Sequence, residues 1–154
     1  MSLMTKIFCP VARPAIRLLD FLQPVLDLGL RLWVAKVFFA SGLTKVQSWE
    51  TTVWLFEEEY MVPVLSPQIA AFMATSAELF LPVLLVLGLA TRFGVAGLFI
   101  LNAVAVLSYA ETLGAVGIKD HILWGMMLLV TLIHGPGKLA LDHFIWQKFE
   151  TNEN

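Results

Sequence analysis

The stretch at residues 68–89, QIAAFMATSAELFLPVLLVLGL, decides the fold class because it is long and apolar and carries one charge, Glu78. A helix needs about 20 mainly apolar residues to cross the roughly 30 Å hydrocarbon core of a bilayer. Ala70, Ala74 and Glu78 recur every four residues, and small residues at that spacing indicate close contact between membrane helices. The stretch therefore predicts a membrane-spanning helix whose carboxyl group faces protein rather than lipid.

Three further apolar stretches of similar length surround this one, at about 22–43, 92–110 and 116–134. The last is the weakest, because its uninterrupted apolar part covers only residues 122–133. It reaches spanning length only if Lys119, Asp120 and His121 belong to its first turns. The pattern predicts an all-α integral membrane protein, a four-helix bundle with spans at about 22–43, 68–89, 92–110 and 116–134.

Composition agrees with a membrane protein and excludes several other classes. Of the 154 residues, 58% are hydrophobic and 14% are charged, whereas a soluble domain has about 45–50% and about 25%. A net charge of −2 argues against nucleic acid as a partner, since binders of nucleic acid carry a basic surface. The single cysteine, Cys9, excludes an intramolecular disulfide and a cysteine-based zinc site.

The segments on either side of the predicted bundle have amphipathic patterns. Residues 1–21 place apolar side chains at helical spacing, which is typical of a helix lying on a membrane surface, and residues 135–154 form a second such segment. Lys and Arg concentrate on the cytoplasmic side of membrane proteins. Six lie on the side that holds both termini, and Lys45 and Lys119 lie on the other. The counts predict a multi-pass protein of the inner (plasma) membrane with both termini in the cytoplasm.

Polar residues within the predicted spans form the first candidate site. At 1.5 Å per residue, Arg31, Glu78 and Asn102 lie roughly 14, 16 and 15 Å from the cytoplasmic end. Since buried charges in membranes seek partners, we expect a polar layer with an Arg31–Glu78 ion pair. Glu78 would be the catalytic group, acting as a proton relay, and Arg31 and Asn102 would bind a ligand. The same layer is equally compatible with a structural role in holding the bundle together.

A second polar group is expected nearer the outer face. Lys36 and His121 fall together at roughly 20 Å from the cytoplasmic end, with Asp120 beside them, and all three are candidate ligand-binding residues. A lysine can instead extend its side chain to the interface, and His121 can lie there in contact with water. His121 and His134 are about 20 Å apart along one helix, so no haem is expected, and the absence of a compact ligand cluster argues against a metal.

Three motifs resemble those of a known family. Arg31 within the first span is followed by GLTK at 42–45, as in an R…GxxK pattern. Glu78 is followed by LGLATR at 87–92, and the fourth span ends in GPGKLALD at 135–142. In order and placement these motifs resemble the DoxX family over about 26–142, with Ala140 in place of the usual serine.

The resemblance implies a small four-helix inner-membrane protein with a site around Arg31, Lys45 and Glu78. Some DoxX relatives resemble the small subunit of a thiosulfate:quinone oxidoreductase, and others are linked to membrane oxidoreductase complexes or to oxidative stress. We therefore expect an accessory redox subunit linked to quinone-dependent oxidoreduction, with quinone as the ligand and an oxidoreductase as the protein partner. It would not be a self-sufficient enzyme, and so small a unit is compatible with a homo-oligomer.

The alternative is a non-catalytic membrane scaffold or assembly factor for a partner complex, in which the buried charges set the packing of the helices. A small-solute transporter is a third interpretation. Transporters often contain inverted repeats and broken helices, and the sequence shows neither beyond the kink expected at Pro82.

Overall fold

The structure is a computed structural model that describes residues 3–60, 62 and 64–152. It confirms the prediction of an all-α protein, since the described residues form helices and contain no strand. The helices are α1 (Leu3–Gln47), α2 (Trp49–Glu58), α3 (Pro67–Leu87), α4 (Thr91–His134) and α5 (Leu141–Asn152). Residues 1–2 and 153–154 of the two predicted terminal segments lie outside the described residues.

Two of these helices, α3 and α4, are long and apolar enough to cross a membrane among the residues described. The 21 residues of α3 extend ~31 Å at 1.5 Å each, which matches the hydrocarbon thickness of a bilayer. The amphipathic segment predicted at 1–21, from Leu3 onward, and the span predicted at 22–43 share the single helix α1. α4 bends within its length, at Tyr109 and Gly114, whose backbone angles are not helical.

The core lies where α1, α3 and α4 pack against one another, and α2 covers one end of α3. Its fully buried residues come from all three long helices: Val34, Ala35, Phe38, Leu81, Leu85, Val95, Leu98 and Leu128. A second cluster joins Phe56 of α2 to Ala70 and Ala71 of α3. The small-residue face predicted for α3 therefore does contact protein, as Glu78 on the same face also does.

Two glycines fix the register of α1 against α3. A Cβ on Gly42 would lie 3.0 Å from the Cβ of Glu78, and a Cβ on Gly88 would overlap the guanidinium of Arg31. The helices are therefore antiparallel, with Gly42 level with Glu78 and Arg31 level with the end of α3. Eleven residues separate Arg31 from Gly42, or ~16 Å along the helix.

The motif at 135–142 ties the helix ends together at the Arg31 level. The carboxylate of Asp142 accepts hydrogen bonds from the backbone N–H groups of Ala90 and Thr91, both at 2.8 Å, and so caps the start of α4. The N–H of Asp142 donates to Gly88 O at 2.8 Å. Arg31 Nη2 donates to Leu139 O at 2.6 Å. Arg31 thus joins this motif to α1.

Candidate functional site

A cavity of about 250 Å³ lies between α1, α2, α3 and both halves of α4. We call it the central cavity. Its wall combines aliphatic and aromatic side chains with a small number of polar groups, which is the usual composition of a small-molecule site. The polar and aromatic members are Phe38, Ser41, Lys45, Phe56, Tyr60, Glu78, Ser108, Tyr109, His121 and Trp124.

The strongest electrostatic feature of the central cavity is an ion pair between α1 and α3. Lys45 Nζ lies 2.7 Å from Glu78 Oε2 and 2.9 Å from Oε1. The same ammonium group donates to Ser41 Oγ at 2.8 Å, one turn earlier in α1. Gly42, which has no side chain, lets the two helices approach closely enough for this contact. Each charge compensates the other, which a buried charge requires to be tolerated.

A second polar pair joins the two halves of α4 across its bend. Asn102 Nδ2 donates to the carbonyl oxygen of His121 at 2.9 Å, which orients the amide so that its Oδ1 faces the imidazole. His121 Nδ1 lies 2.9 Å from that Oδ1, so Nδ1 must carry the proton and donate. Nε2 is then the ring atom of neutral His121 that can accept a proton or a hydrogen bond.

Aromatic rings form much of the remaining wall. The rings of Tyr60 and Tyr109 lie 4.2 Å apart between centroids and are inclined by 30°. The centroid of the Trp124 ring lies 4.9 Å from that of His121 and 6.1 Å from that of Phe38. Burial raises the pKa of Tyr60, and the negative charges of Glu59 and Glu78 raise it further. The Tyr60 hydroxyl therefore remains protonated at neutral pH and can donate a hydrogen bond.

One buried hydroxyl in the wall lacks a partner. Ser108 Oγ is inaccessible to solvent and makes no hydrogen bond within the described part of the chain. Buried polar groups without partners are rare in proteins and call for an explanation. A ligand oxygen or nitrogen within the cavity would supply the missing partner.

A polar groove of about 330 Å³ reaches the ion pair from the α1–α2 turn. Hydroxyl groups dominate its lining: Ser41, Thr44, Lys45, Ser48, Thr51, Thr52, Leu55 and Tyr60. We call it the hydroxyl groove. Ser41, Lys45 and Tyr60 belong to both this groove and the central cavity. Lys45 therefore borders both spaces, and its partner Glu78 lines the central cavity.

The structure brings together four of the seven residues that the sequence singled out. Lys45, Glu78 and His121 line the central cavity, and Asn102 orients His121. Asn102 and Glu78 also lie at a similar level, because Gly97 of α4 packs on Leu81 of α3. That part of the predicted polar layer agrees with the structure.

The other three residues lie outside the central cavity. The predicted Arg31–Glu78 pair is wrong, because Arg31 lies ~16 Å away along α1 and contacts Leu139. The error arose from the ends of the first span, since α1 continues to Gln47 and so pairs with α3 at a different register. Lys36 and Asp120 are both exposed. Lys36 lies only ~7.5 Å past Arg31 along α1, on a surface that faces away from the central cavity, and not nearer the outer face beside His121 as predicted.

Several residues of the central cavity were not predicted. Ser41 lies one turn before Lys45, a spacing that places both on one helix face and could have identified it. Aromatic residues near the ends of membrane spans concentrate at the membrane interface, so the sequence did not indicate that Tyr60 and Tyr109 face a cavity. Tyr60 and Tyr109 instead meet inside the protein because α4 bends at Tyr109.

Comparison with known proteins identifies the family. The family model named DoxX matches residues 26–111, which is more than half of the chain. The chain belongs to the DoxX family. The protein is also similar to an uncharacterized protein of Haemophilus influenzae (strain Rd), with 33% identity over 130 residues, covering 79% of this chain and 84% of that protein. No solved structure matches the chain.

This chain is therefore a DoxX membrane protein, and the family match includes part of the candidate site. The matched region contains α1 from residue 26, α2, α3 and the first half of α4. It therefore includes Lys45, Glu78 and Asn102, and also Arg31. His121 and the motif at 135–142 lie beyond the match.

The arrangement in the central cavity can bind and protonate a small molecule. Lys45, Ser41 and Tyr60 supply hydrogen-bond donors, whereas Glu78 and His121 Nε2 supply proton acceptors. No group of three or more His, Cys, Asp or Glu side chains that could hold a metal ion occurs among the residues described.

Proposed function

We propose that the central cavity binds the ring of a membrane quinone and that this DoxX protein acts as the membrane subunit of a quinone-linked oxidoreductase. The observation that supports this most is the combination of aromatic walls with the Lys45–Glu78 pair in one cavity. A flat ring favours aromatic neighbours, which contribute ~0.5–1.5 kcal/mol per pair beyond burial. The carbonyl oxygens of a quinone need donors. Ser108 Oγ has no partner, and Lys45 would exchange one of its two hydrogen bonds to Glu78 for a bond to a ring oxygen.

The proposed chemistry assigns a separate task to each polar residue. Reduction of a quinone to a quinol consumes two electrons and two protons. Lys45 would hold one ring oxygen and would place the developing negative charge beside its ammonium group. Glu78 would pass protons to and from that oxygen, and would exchange them with the hydroxyl groove by way of Lys45, its hydrogen-bond partner that lines the groove. A positioned acid or base of this kind contributes typically about 100- to 10,000-fold to a rate.

Electrons in this proposal come from a protein partner, an oxidoreductase that contacts the membrane protein. The proposed topology is a four-span protein of the inner membrane with both termini in the cytoplasm, supported by the excess of Lys and Arg on the terminal side. The hydroxyl groove would then open towards the outer face. Reporter fusions at residue 154 and in the α2–α3 connection would test this, with cytoplasmic and external signals expected respectively.

Direct binding of ubiquinone-1 and menadione to the purified protein in lipid nanodiscs tests the proposal. We expect saturable binding near one per chain and a loss of at least tenfold in affinity in Lys45→Met. Glu111→Gln, which changes an exposed carboxyl group outside the cavity, should bind as the unchanged protein does. Absence of binding by both quinones, or equal binding by Lys45→Met, would contradict the proposal.

The second candidate function is a non-catalytic scaffold or assembly factor. It is favoured by the N-terminal part of α1, which exposes Ile16, Leu19, Phe21, Leu22 and Leu26. A row of exposed apolar side chains suits either a membrane surface or a protein partner. If this candidate is correct, Leu19→Gln and Leu22→Gln will reduce recovery of a partner complex, whereas Lys45→Met will leave it unchanged.

A further inference from the structure

An apolar groove of about 370 Å³ follows the outer surface between α1 and α3. We call it the lipid-side groove. Its walls are Leu32, Ala35, Lys36, Phe39, Pro82, Val83, Val86 and Leu87. It shares no lining residue with the central cavity, so it is a separate feature of the protein.

Lys36 is the one charged residue of this groove. It is exposed, and it makes no hydrogen bond or ion pair within the described part of the chain. An ammonium group among apolar side chains at membrane depth is costly unless something satisfies it. Since the protein supplies no partner, the partner must come from the surroundings of the helix.

The position of Lys36 along the membrane axis limits what that partner can be. The 21 residues of α3 just span a hydrocarbon core, so its end at Leu87 marks one boundary of the membrane. Arg31 lies at that boundary beside Gly88, and Lys36 follows five residues later, ~7.5 Å further in. Side chains on a helix lean towards its N-terminus, so the Lys36 ammonium points back to the boundary, where lipid headgroups lie.

We infer that the lipid-side groove binds an anionic phospholipid, with its phosphate on Lys36 and one acyl chain along Phe39, Val83 and Val86. Charge is what selects this occupant. A neutral isoprenoid tail or zwitterionic lipid would fill the apolar wall and leave Lys36 without a net counter-charge. Basic sites between membrane helices on the cytoplasmic side are known to hold anionic headgroups, and the proposed topology places Lys36 on that side.

Pro82 and Val83 form part of the α3 wall of this groove. Within α3, Pro82 cannot donate the backbone hydrogen bond to Glu78 O. An acyl chain can lie along this wall.

Native mass spectrometry of the full chain tests this inference. The protein is equilibrated with an equal mixture of phosphatidylglycerol and phosphatidylcholine with identical acyl chains. We expect phosphatidylglycerol to be retained about fivefold more, the effect of one basic side chain near anionic lipid. Lys36→Gln should bring the ratio to about one, whereas Lys36→Arg and the matched control Lys119→Gln should preserve it.

A second variant tests the acyl-chain part of the site. Val83→Trp fills the groove on an exposed surface, so it should reduce retention of both lipids while leaving Lys36 in place. Circular dichroism and gel filtration confirm that each variant is folded. Equal retention of both lipids by the unchanged protein would show that the groove does not select for charge, and this would overturn the inference. So would a preference that survives Lys36→Gln, one lost equally in Lys119→Gln, or a dimer that Val83→Trp abolishes.

Discussion

Replacing Lys45 should destabilise the protein more than replacing its partner Glu78. In Lys45→Met the carboxylate of Glu78, only 7% exposed, loses hydrogen bonds of 2.7 and 2.9 Å and keeps an uncompensated charge. Removal of one partner from a buried pair costs about 3–5 kcal/mol. In Glu78→Met the Lys45 ammonium keeps its bond to Ser41 and can turn into the hydroxyl groove. We expect a smaller loss, about 1–3 kcal/mol.

The double variant Lys45→Met/Glu78→Met provides the decisive comparison. Replacing a whole buried ion pair by apolar residues of similar size is often neutral or stabilising. We therefore expect the free energy of unfolding of the double variant to be within ~2 kcal/mol of that of the unchanged protein. It should also be higher than that of Lys45→Met. Reversible unfolding in mixed micelles on addition of dodecyl sulfate, followed by far-ultraviolet circular dichroism, measures these free energies. Lys119→Met, at an exposed lysine, is the control.

A double variant as unstable as the sum of the two single variants would refute this reasoning. It would mean that Lys45 and Glu78 do not compensate each other and that each stabilises the protein through other contacts. Equal losses in the two single variants would refute the narrower argument about the hydroxyl groove. The first outcome would also remove the physical basis for assigning proton transfer to this pair.

Three further predictions concern the parts of the fold that support the site. Gly88→Ala and Gly114→Ala both place a Cβ at positive φ, +67° and +60°, but only the first meets neighbouring atoms. In the same unfolding assay, Gly114→Ala should cost the backbone strain of about 1–3 kcal/mol, and Gly88→Ala should cost more because its Cβ also overlaps neighbouring atoms. Asp142→Ala removes the cap of α4 and should cost ~1 kcal/mol; an unchanged free energy of unfolding would show that the cap is replaced by water. Asn102→Leu leaves His121 Nδ1 without its acceptor and should lower stability by about 1–3 kcal/mol, whereas no loss would contradict the assigned tautomer.

The face of α3 that carries the site could be predicted, but the partner of Glu78 could not. Ala70 and Ala74 repeat with Glu78 at four-residue spacing, and this local pattern reflects the real contact face. The partner of Glu78 depends on the axial register of α1 against α3, which hydropathy alone does not determine. Because apolar residues continue at both ends of the first predicted span, its middle was placed too close to Arg31.

The shape of the central cavity depends on a feature with little local signal. The sequence predicted two separate spans at about 92–110 and 116–134, whereas the structure places both stretches in α4, which bends at Tyr109 and Gly114. The bend directs Tyr109 inward to contact Tyr60 and brings His121 back to Asn102. Gly114 permits the required left-handed backbone, but a glycine in a membrane helix more often indicates helix packing than a bend.

The motif at 135–142 contacts Arg31 across the fold, which the sequence did not predict. Arg31 was assigned to ligand binding because it is a charge within a predicted span. In the structure it holds Leu139 O, and Asp142 caps α4. These two contacts join residues 108 and 52 positions apart, so spacing along the chain carries no information about them.

The most direct test of the central claim is photolabelling of the protein in nanodiscs with a quinone that carries a light-activated azido group on its ring. Mass spectrometry of the labelled peptides then locates the ring. We predict labels on the cavity residues Tyr60, Tyr109 and Trp124, and their loss in the presence of excess ubiquinone-1. Labels confined to the outer surface of the helices, or cavity labels that ubiquinone-1 does not displace, would contradict the account.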